Sequence, residues 1–150
     1  MQIPGWAKAA AIFLLLLLSG TVLWWQMQQD ESLLRLGGQQ YRVTVMRTDD
    51  QLQKGLSGTS DLPADHAMLF VFPSDGKWPM WMKDMTYPID IVWLDNSKHV
   101  TYTVKNAQPS SYPTKFIPDV PSRYVVEVPA GTVERTGIKK GDQARLPEGI

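Results

Sequence analysis

The longest apolar segment of the chain begins at Ala9, ends at Trp25 and contains no charged residue. Its 17 residues would form a helix of about 25 Å, against about 30 Å for the hydrocarbon core of a bilayer. Trp24 and Trp25 place indole rings at its end, where such rings favour the membrane–water interface. The segment is apolar on every side, which is not typical of an amphipathic helix in a globular domain. The pattern therefore predicts a transmembrane helix over residues 9–25.

A cleaved signal peptide is the alternative interpretation of this segment. Lys8 supplies a charged start, and Ser19, Gly20 and Thr21 are small residues of the kind found at cleavage sites. However, the bulky residues 22–25 follow them and make a poor cleavage site. We therefore favour an uncleaved anchor, with secretion after cleavage as the second option.

The charges that flank the apolar segment predict its orientation. Lys8 precedes the segment, whereas Asp30 and Glu31 follow it. Positively charged flanks tend to remain in the cytoplasm. We therefore expect residues 1–8 to be cytoplasmic, residues 9–25 to span the cell membrane in contact with lipid, residues 26–40 to form a polar stalk, and residues 41–150 to fold as an extracytoplasmic domain.

Short apolar runs separated by turn-forming residues fill the rest of the chain. Residues 41–46 alternate apolar and polar positions, as half-buried strands do, whereas residues 68–72 and 89–94 are continuous apolar runs, typical of strands covered on both faces. Further strands are predicted at residues 100–104, 124–128 and 143–146, and short helices at residues 49–56 and 132–136. These elements predict a mainly β (α+β) domain, a small barrel or sandwich with one or two short helices.

Composition narrows the possible partners. Lys and Arg total 15 and Asp and Glu total 15, so the formal net charge is zero. Nucleic-acid binding needs a basic surplus or a basic face, and we therefore expect no nucleic-acid partner. The chain has no cysteine and two histidines, which excludes disulfides, thiolate zinc sites, a cysteine nucleophile and a multi-histidine metal site. We expect no metal and no cofactor.

Residues 78–85 contain an unusual concentration of tryptophan and methionine. In an extended conformation Trp81 and Lys83 share one face, while Asp84 lies on the other. They could form a ligand platform on which Trp81 stacks against a ring and Lys83 binds an anion. The alternative is a core seam with a surface Lys83–Asp84 pair, and packing is the commoner role of buried aromatic residues.

Asp90 interrupts the apolar run of residues 89–94 and, in a strand, shares a face with Val92 and Leu94. A carboxylate on such a face must be paired or hydrogen-bonded. It could bind backbone amides or Lys83, or it could be a general base or a ligand of a hard cation. The structural role is the favoured one, because structural networks also bury carboxylates.

A proline-rich segment, residues 106–122, matches no regular element, and long irregular segments of compact domains are often functional. We expect a membrane-anchored binding or accessory module of the cell envelope with an unknown ligand. The alternative is an envelope hydrolase that uses Asp84 or Asp90, with or without a divalent cation. The candidate ligand-binding residues are Trp81, Lys83, Asp84, Asp90, Tyr112 and Phe116.

The order of several short motifs carries a family resemblance. The motifs are Gly55-Leu56, residues 68–73, Trp81-Met82-Lys83, residues 88–91, residues 124–127, Ala130-Gly131 and residues 137–142. In this order, over about residues 41–146, the chain resembles the prokaryotic family catalogued as domain of unknown function 192. The resemblance implies a compact, β-rich, barrel-like domain, often behind an export signal or anchor, and it implies no assigned activity.

The chain departs from the family pattern at several positions. Gln51-Leu52 stand where the family usually has Glu-Arg, Ser57 where it has Met, Thr59 where Arg is common, and Asp84-Met85 where Asn-Thr usually follows the Trp-Met-Lys motif. If the charged Glu-Arg pair matters to an activity shared by the family, this chain lacks it.

Overall fold

The computed structural model describes residues 33–150. The predicted cytoplasmic N-terminus, residues 1–8, and the predicted transmembrane helix, residues 9–25, lie outside this range. Within residues 33–150 none of the helices has the length and apolar character needed to cross a bilayer.

Six strands form a single sheet in the order β1-β2-β3-β6-β4-β5. Neighbouring strands are antiparallel except β2 and β3, which are parallel. The prediction of a mainly β domain with short helices is therefore confirmed. The elements are β1 (Leu33–Leu36), β2 (Gln39–Met46), α1 (Asp49–Lys54), β3 (His66–Gly76), β4 (Ile89–Leu94), β5 (Val100–Ala107), a 3-10 turn (Pro109–Ser111), β6 (Ser122–Pro129) and α2 (Thr132–Thr136).

The sheet is open, with β1 and β5 at its two edges. The structure therefore differs from the small barrel or sandwich that the sequence pattern predicts. Residues 143–146, predicted as a closing strand, form only isolated bridges, between Gln143 and His99 and between Arg145 and Arg35. Because each sheet edge receives a single bridge, the C-terminal segment joins the two edges without forming a continuous ladder.

The sheet begins within residues 26–40, for which the sequence predicts a polar stalk. Leu34 and Leu36 are buried, and β1 pairs with β2 around a turn at Gly37 and Gly38. Both glycines have positive φ, at +59° and +73°, as a two-residue hairpin turn requires. The folded domain therefore includes residues 33–40, and Gly37 and Gly38 form a hairpin turn.

Apolar side chains cover the centre of the sheet on both faces, as the continuous apolar runs predict. On one face, here called the α2 face, the strands contribute buried Val92, Leu94, Val126 and Val128, which pack with Val133 of α2. On the opposite face, the α1 face, the strands contribute Phe70, Ile91, Trp93 and Val125, which pack with Leu56, Met80 and Met82. A carboxyl group at the covered centre of β4 or β6 must therefore enter one of two apolar cores.

Gly37 and Gly38 allow a matched test of how the first hairpin packs. A Cβ at Gly37 would lie 2.6 Å from Cγ1 of buried Ile138 and 2.7 Å from Oγ1 of Thr136, whereas a Cβ at Gly38 would meet nothing within 4 Å. Both alanine variants bear a left-handed backbone cost of about 1–2 kcal/mol. We expect Gly37→Ala to lower the free energy of unfolding by about 1–3 kcal/mol more than Gly38→Ala does, measured by urea denaturation. Equal losses would contradict the close packing of this turn.

Candidate functional site

A cavity of about 340 Å³ opens on the α1 face of the sheet. Phe70 and Phe72 of β3 and Glu127 of β6 line it on the sheet side. Residues of α1 and of the segment 78–85 complete the lining. The walls are mainly apolar and aromatic, and the volume lies at the lower end of the range for small-molecule sites.

Helix α1 forms one wall, and its ends are fixed by local sequence. Oγ1 of Thr48 accepts a hydrogen bond from the Gln51 backbone N–H, and Oε1 of Gln51 accepts one from the Thr48 backbone N–H, which together form a capping box. The helix is capped at its C-terminal end by Gly55, where a Cβ would lie 3.1 Å from Cζ of Phe70. Glycine at this position therefore allows the helix end to approach the sheet closely.

The segment that begins at Trp78 forms the other wall. The indole of Trp78 stacks on the ring of Phe72, with centroids 4.4 Å apart and 5° between the planes. Its Nε1 donates a hydrogen bond to the Ser74 carbonyl, and Nε1 of Trp93 donates one to the Trp78 carbonyl. Two backbone hydrogen bonds join Met80 to Phe116. These contacts hold the wall in place beside the sheet.

Glu127 is the buried polar residue that lines this cavity. Its side chain is 4% exposed, and its register partners on the neighbouring strands are Met68 and Ile91. Oε2 has no hydrogen-bond partner. Burial of the carboxyl raises the pKa of Glu127 from 4.5 to about 8. The side chain therefore carries a proton and no charge at neutral pH.

Trp81 and Lys83, two of the residues expected to bind ligand, line the cavity. Trp81 is half-buried, and Nζ of Lys115 lies 5.4 Å from the centroid of its ring. Lys83 is exposed, and its backbone carbonyl accepts a hydrogen bond from Ser57 Oγ at 2.8 Å. The structure thus places an aromatic ring and a cation at the edge of the cavity.

Three other candidates, Asp84, Tyr112 and Phe116, do not line the cavity. Asp84 is exposed and lines a shallower groove that shares Trp81 and Lys83 with the cavity. Phe116 is half-buried and packs against the core of the α1 face. Tyr112 is 49% exposed and does not line the cavity. These three side chains therefore do not share one site with Glu127.

Asp90 faces the α2 side of the sheet, away from the cavity. Its side chain is fully buried. One carboxyl oxygen accepts hydrogen bonds from the backbone N–H groups of Asn106 (2.7 Å) and Gly131 (3.2 Å), and the other accepts one from Val133 (2.7 Å). These bonds join β4 to β5 and to the start of α2. The geometry corresponds to the structural role considered for this residue, with backbone amides rather than Lys83 as partners.

Residues 33–150 contain no cluster of three acidic or histidine side chains arranged to hold a metal ion. Asp84 and Asp90, the two carboxyl groups considered as cation ligands, therefore belong to no such cluster. Asp95 accepts a hydrogen bond from the backbone N–H of His99 and stabilises the β4–β5 turn.

Glu127 is absent from the candidates drawn from the sequence, although a usable signal was present. It lies in an apolar strand, residues 124–128, whose inward and outward positions are all hydrophobic apart from Glu127. Such a strand is covered on both faces, so its single carboxyl must be buried. The same argument identified Asp90, and it applies equally to Glu127.

The fold and the site define a β-sheet domain with an apolar cavity that encloses an uncharged carboxyl group. The chain belongs to the family described as domain of unknown function 192 (uncharacterized ACR). The model of this family matches residues 32–146. The resemblance drawn from the ordered motifs is therefore confirmed. No curated protein matches the chain.

The solved structures that share the fold include the following two. A protein of unknown function from Novosphingobium aromaticivorans DSM 12444 is 25% identical, with a TM-score of 0.71 over 76% of this chain and 84% of that chain. A protein from Sinorhizobium meliloti 1021, described as a candidate transcription regulator, is 28% identical, with a TM-score of 0.70 over 75% of this chain and 89% of that chain.

The raised pKa of Glu127 predicts how stability changes with pH. In the unfolded chain the carboxyl ionises near its ordinary pKa of 4.5, whereas the folded protein holds the proton up to about pH 8. Between these values the unfolded chain has released a proton that the folded protein retains, so rising pH favours unfolding. Relative to Glu127→Gln, we expect the wild-type free energy of unfolding to fall by a few kcal/mol from about pH 5 to pH 8, since one pKa unit corresponds to about 1.4 kcal/mol.

Urea denaturation at a series of pH values measures this difference. Glu134→Gln, at an exposed position of α2, is the control and should follow the wild-type profile. Parallel profiles for the wild type and Glu127→Gln would contradict the assignment of a protonated buried carboxyl.

The hydrogen bonds between Asp90 and the backbone predict that a change at this residue lowers the stability of the folded protein. In Asp90→Asn an amide nitrogen replaces one carboxyl oxygen and places a donor against a backbone N–H. We expect the free energy of unfolding to fall by about 2–4 kcal/mol, because a charged hydrogen bond is lost and a buried donor is left unpaired. Asp119→Asn changes an exposed residue and should cost less than about 0.5 kcal/mol. Similar denaturation midpoints for the two variants would refute the structural role of Asp90.

Proposed function

We propose that this protein is a binding module that takes a small, largely apolar ligand into the cavity on the α1 face. The observation that carries the proposal is the unpartnered carboxyl of Glu127 within an aromatic cavity. A buried polar group without a partner is costly, and natural folds retain few of them. A ligand that supplies the missing hydrogen bond would offset this cost.

The lining of the cavity supports a ligand with an apolar body. The cavity presents three aromatic rings and one thioether, from Phe70, Phe72, Trp78 and Met80. Aromatic rings bind apolar ligands through a large contact area, and the methionine side chain adapts to the shape of the ligand. At the mouth, exposed Lys83 suits an anionic substituent, and half-buried Trp81 suits a flat ring. This arrangement supports a ligand platform formed by Trp81 and Lys83 rather than a segment whose role is only to pack in the core.

We further propose that residues 9–25 anchor this module in the cell membrane and that the folded domain lies outside the cytoplasm. The uncharged apolar segment and the order of Lys8, Asp30 and Glu31 support this topology. The contact with the lipid would then be made by the segment that begins at Ala9 and ends at Trp25. The ligand would be a molecule of the cell envelope.

The alternative of an envelope hydrolase receives less support from the geometry. The three hydrogen bonds from backbone amides occupy the carboxylate of Asp90, and this residue lies on the face opposite the cavity. Asp84 is exposed in a shallow groove. Neither carboxyl lines the cavity in which a substrate would be enclosed.

A change at Trp81 tests the binding platform. With 2-naphthoate as the probe, we expect Trp81→Ala to weaken binding about tenfold, because loss of a ring contact costs about 1 kcal/mol or more. The shifts of the methionine methyl NMR signals of Met80 and Met85, which line the cavity, measure the affinity. Tyr112→Ala removes an exposed ring outside the cavity and should leave the affinity unchanged. An equal effect of the two changes, or none, would contradict the platform.

A further inference from the structure

The cavity has one buried polar anchor, and this anchor restricts the chemistry of the ligand; the inference rests on the proposed function. Among the residues that line the cavity, Glu127 is the polar one that is buried, and its Oε2 lacks a partner. The nearby hydroxyl of Ser57 is already bonded to the Lys83 carbonyl. A ligand that reaches the floor of the cavity therefore meets the carboxyl of Glu127 as its polar contact.

The groups around Glu127 leave its carboxyl without a cation. Its register partners, Met68 on β3 and Ile91 on β4, are apolar. Tyr87 supplies no cation either, because its phenol is uncharged and burial raises the pKa of Tyr87 above 10.0. The charged residues that share the cavity are those of α1 and the opposite wall, namely Asp49, Lys54 and Lys83, all of which are exposed to solvent at the mouth.

An uncharged carboxyl presents two complementary groups side by side, an O–H donor and a C=O acceptor. A ligand hydroxyl can satisfy them only in part, whereas an amide presents a C=O acceptor and an N–H donor in matching positions. An ammonium group would have to leave water, pass the lysines at the mouth and form a buried ion pair, with a desolvation cost of several kcal/mol per ion. A ligand carboxylate would meet the same desolvation cost without gaining an opposite charge.

We propose that the cavity recognises an amide, held at its buried end by two reciprocal hydrogen bonds to the uncharged carboxyl of Glu127. The rest of the ligand would be an apolar ring or chain, with any anionic substituent directed to Lys54 and Lys83 at the mouth. A cavity of about 150 Å³ accepts benzene, so the observed volume of about 340 Å³ corresponds to a ligand of roughly a dozen non-hydrogen atoms.

Four probes of similar shape test this inference: benzamide, benzylamine, benzoate and toluene. Binding is measured on the full-length chain in detergent, from the NMR signals of the Met80 and Met85 methyl groups and the Trp78 and Trp81 indoles. At about pH 6.5, we expect benzamide to bind about tenfold or more tightly than the other three, as two net hydrogen bonds imply.

Two variants of Glu127 separate the hydrogen bonds from the shape of the cavity. Glu127→Gln keeps an adjacent donor and acceptor without ionising, and it should retain benzamide affinity at every pH. Glu127→Leu keeps the approximate volume and should bind benzamide no better than toluene. Because the carboxyl loses its O–H donor above about pH 8, wild-type affinity for benzamide should fall there, whereas that of Glu127→Gln should not.

The possible failures are distinguishable. Tightest binding of benzylamine, increasing with pH and lost in Glu127→Gln, would overturn the amide assignment in favour of a cation site. Equal binding of all four probes would show that Glu127 anchors no ligand. Both results would leave the proposed binding function standing. If no probe, including toluene, perturbs the cavity signals, the proposed function itself fails, and the amide inference with it.

Discussion

The central constraint in this protein is that its sheet is buried on both faces, so that carboxyl groups on the middle strands must leave water. β4 and β6 are neighbours in the sheet, and each carries one such group. Asp90 accepts three backbone hydrogen bonds on the α2 face, whereas Glu127 meets an apolar cavity on the α1 face. The cost of burying a carboxyl is thus offset within the fold at Asp90 and left uncompensated at Glu127.

The presence or absence of hydrogen-bond partners distinguishes the structural carboxyl of Asp90 from the proposed ligand-binding carboxyl of Glu127 more clearly than burial does. Asp90 is the more deeply buried residue, yet both of its carboxyl oxygens accept hydrogen bonds, which join three elements. Glu127 holds its proton because burial raises its pKa to about 8 and no cation opposes that effect. A molecule that binds only the folded protein at Glu127 would also stabilise it by mass action. Ligand binding and stability are therefore coupled through the same carboxyl group.

Much of the fold could be predicted from the sequence, because strand patterns are local. The continuous run of residues 89–94 marked β4, and the alternation within it correctly placed Asp90 on the face of Val92 and Leu94. Closure of the sheet could not be predicted in this way, because it depends on whether distant edges meet. The segment at residues 143–146 has the pattern of a strand but reaches each edge through one bridge.

The candidate site could be predicted only in part. Trp81 and Lys83 were singled out by residue type, and they line the cavity. For Phe116 and Tyr112 the signal is the irregular segment that contains them, and an irregular segment gives no information about where a side chain points. Glu127 was detectable from its apolar neighbours, but its lack of a partner was not. That property depends on the side chains brought by β3, β4 and α1, which are distant in sequence.

A departure from the family pattern bears on why the Glu127 carboxyl lacks a cation. Gln51 and Leu52 stand where the resemblance to domain of unknown function 192 leads one to expect Glu-Arg. Gln51 still completes the capping box of α1, a role that glutamate fills equally well. Leu52, by contrast, lines the cavity that also contains Glu127. An arginine there would bring a guanidinium group to that cavity and favour the ionised carboxylate. Leucine keeps the helix and the wall intact while leaving the carboxyl uncharged, which makes the cavity of this chain suited to a neutral polar group.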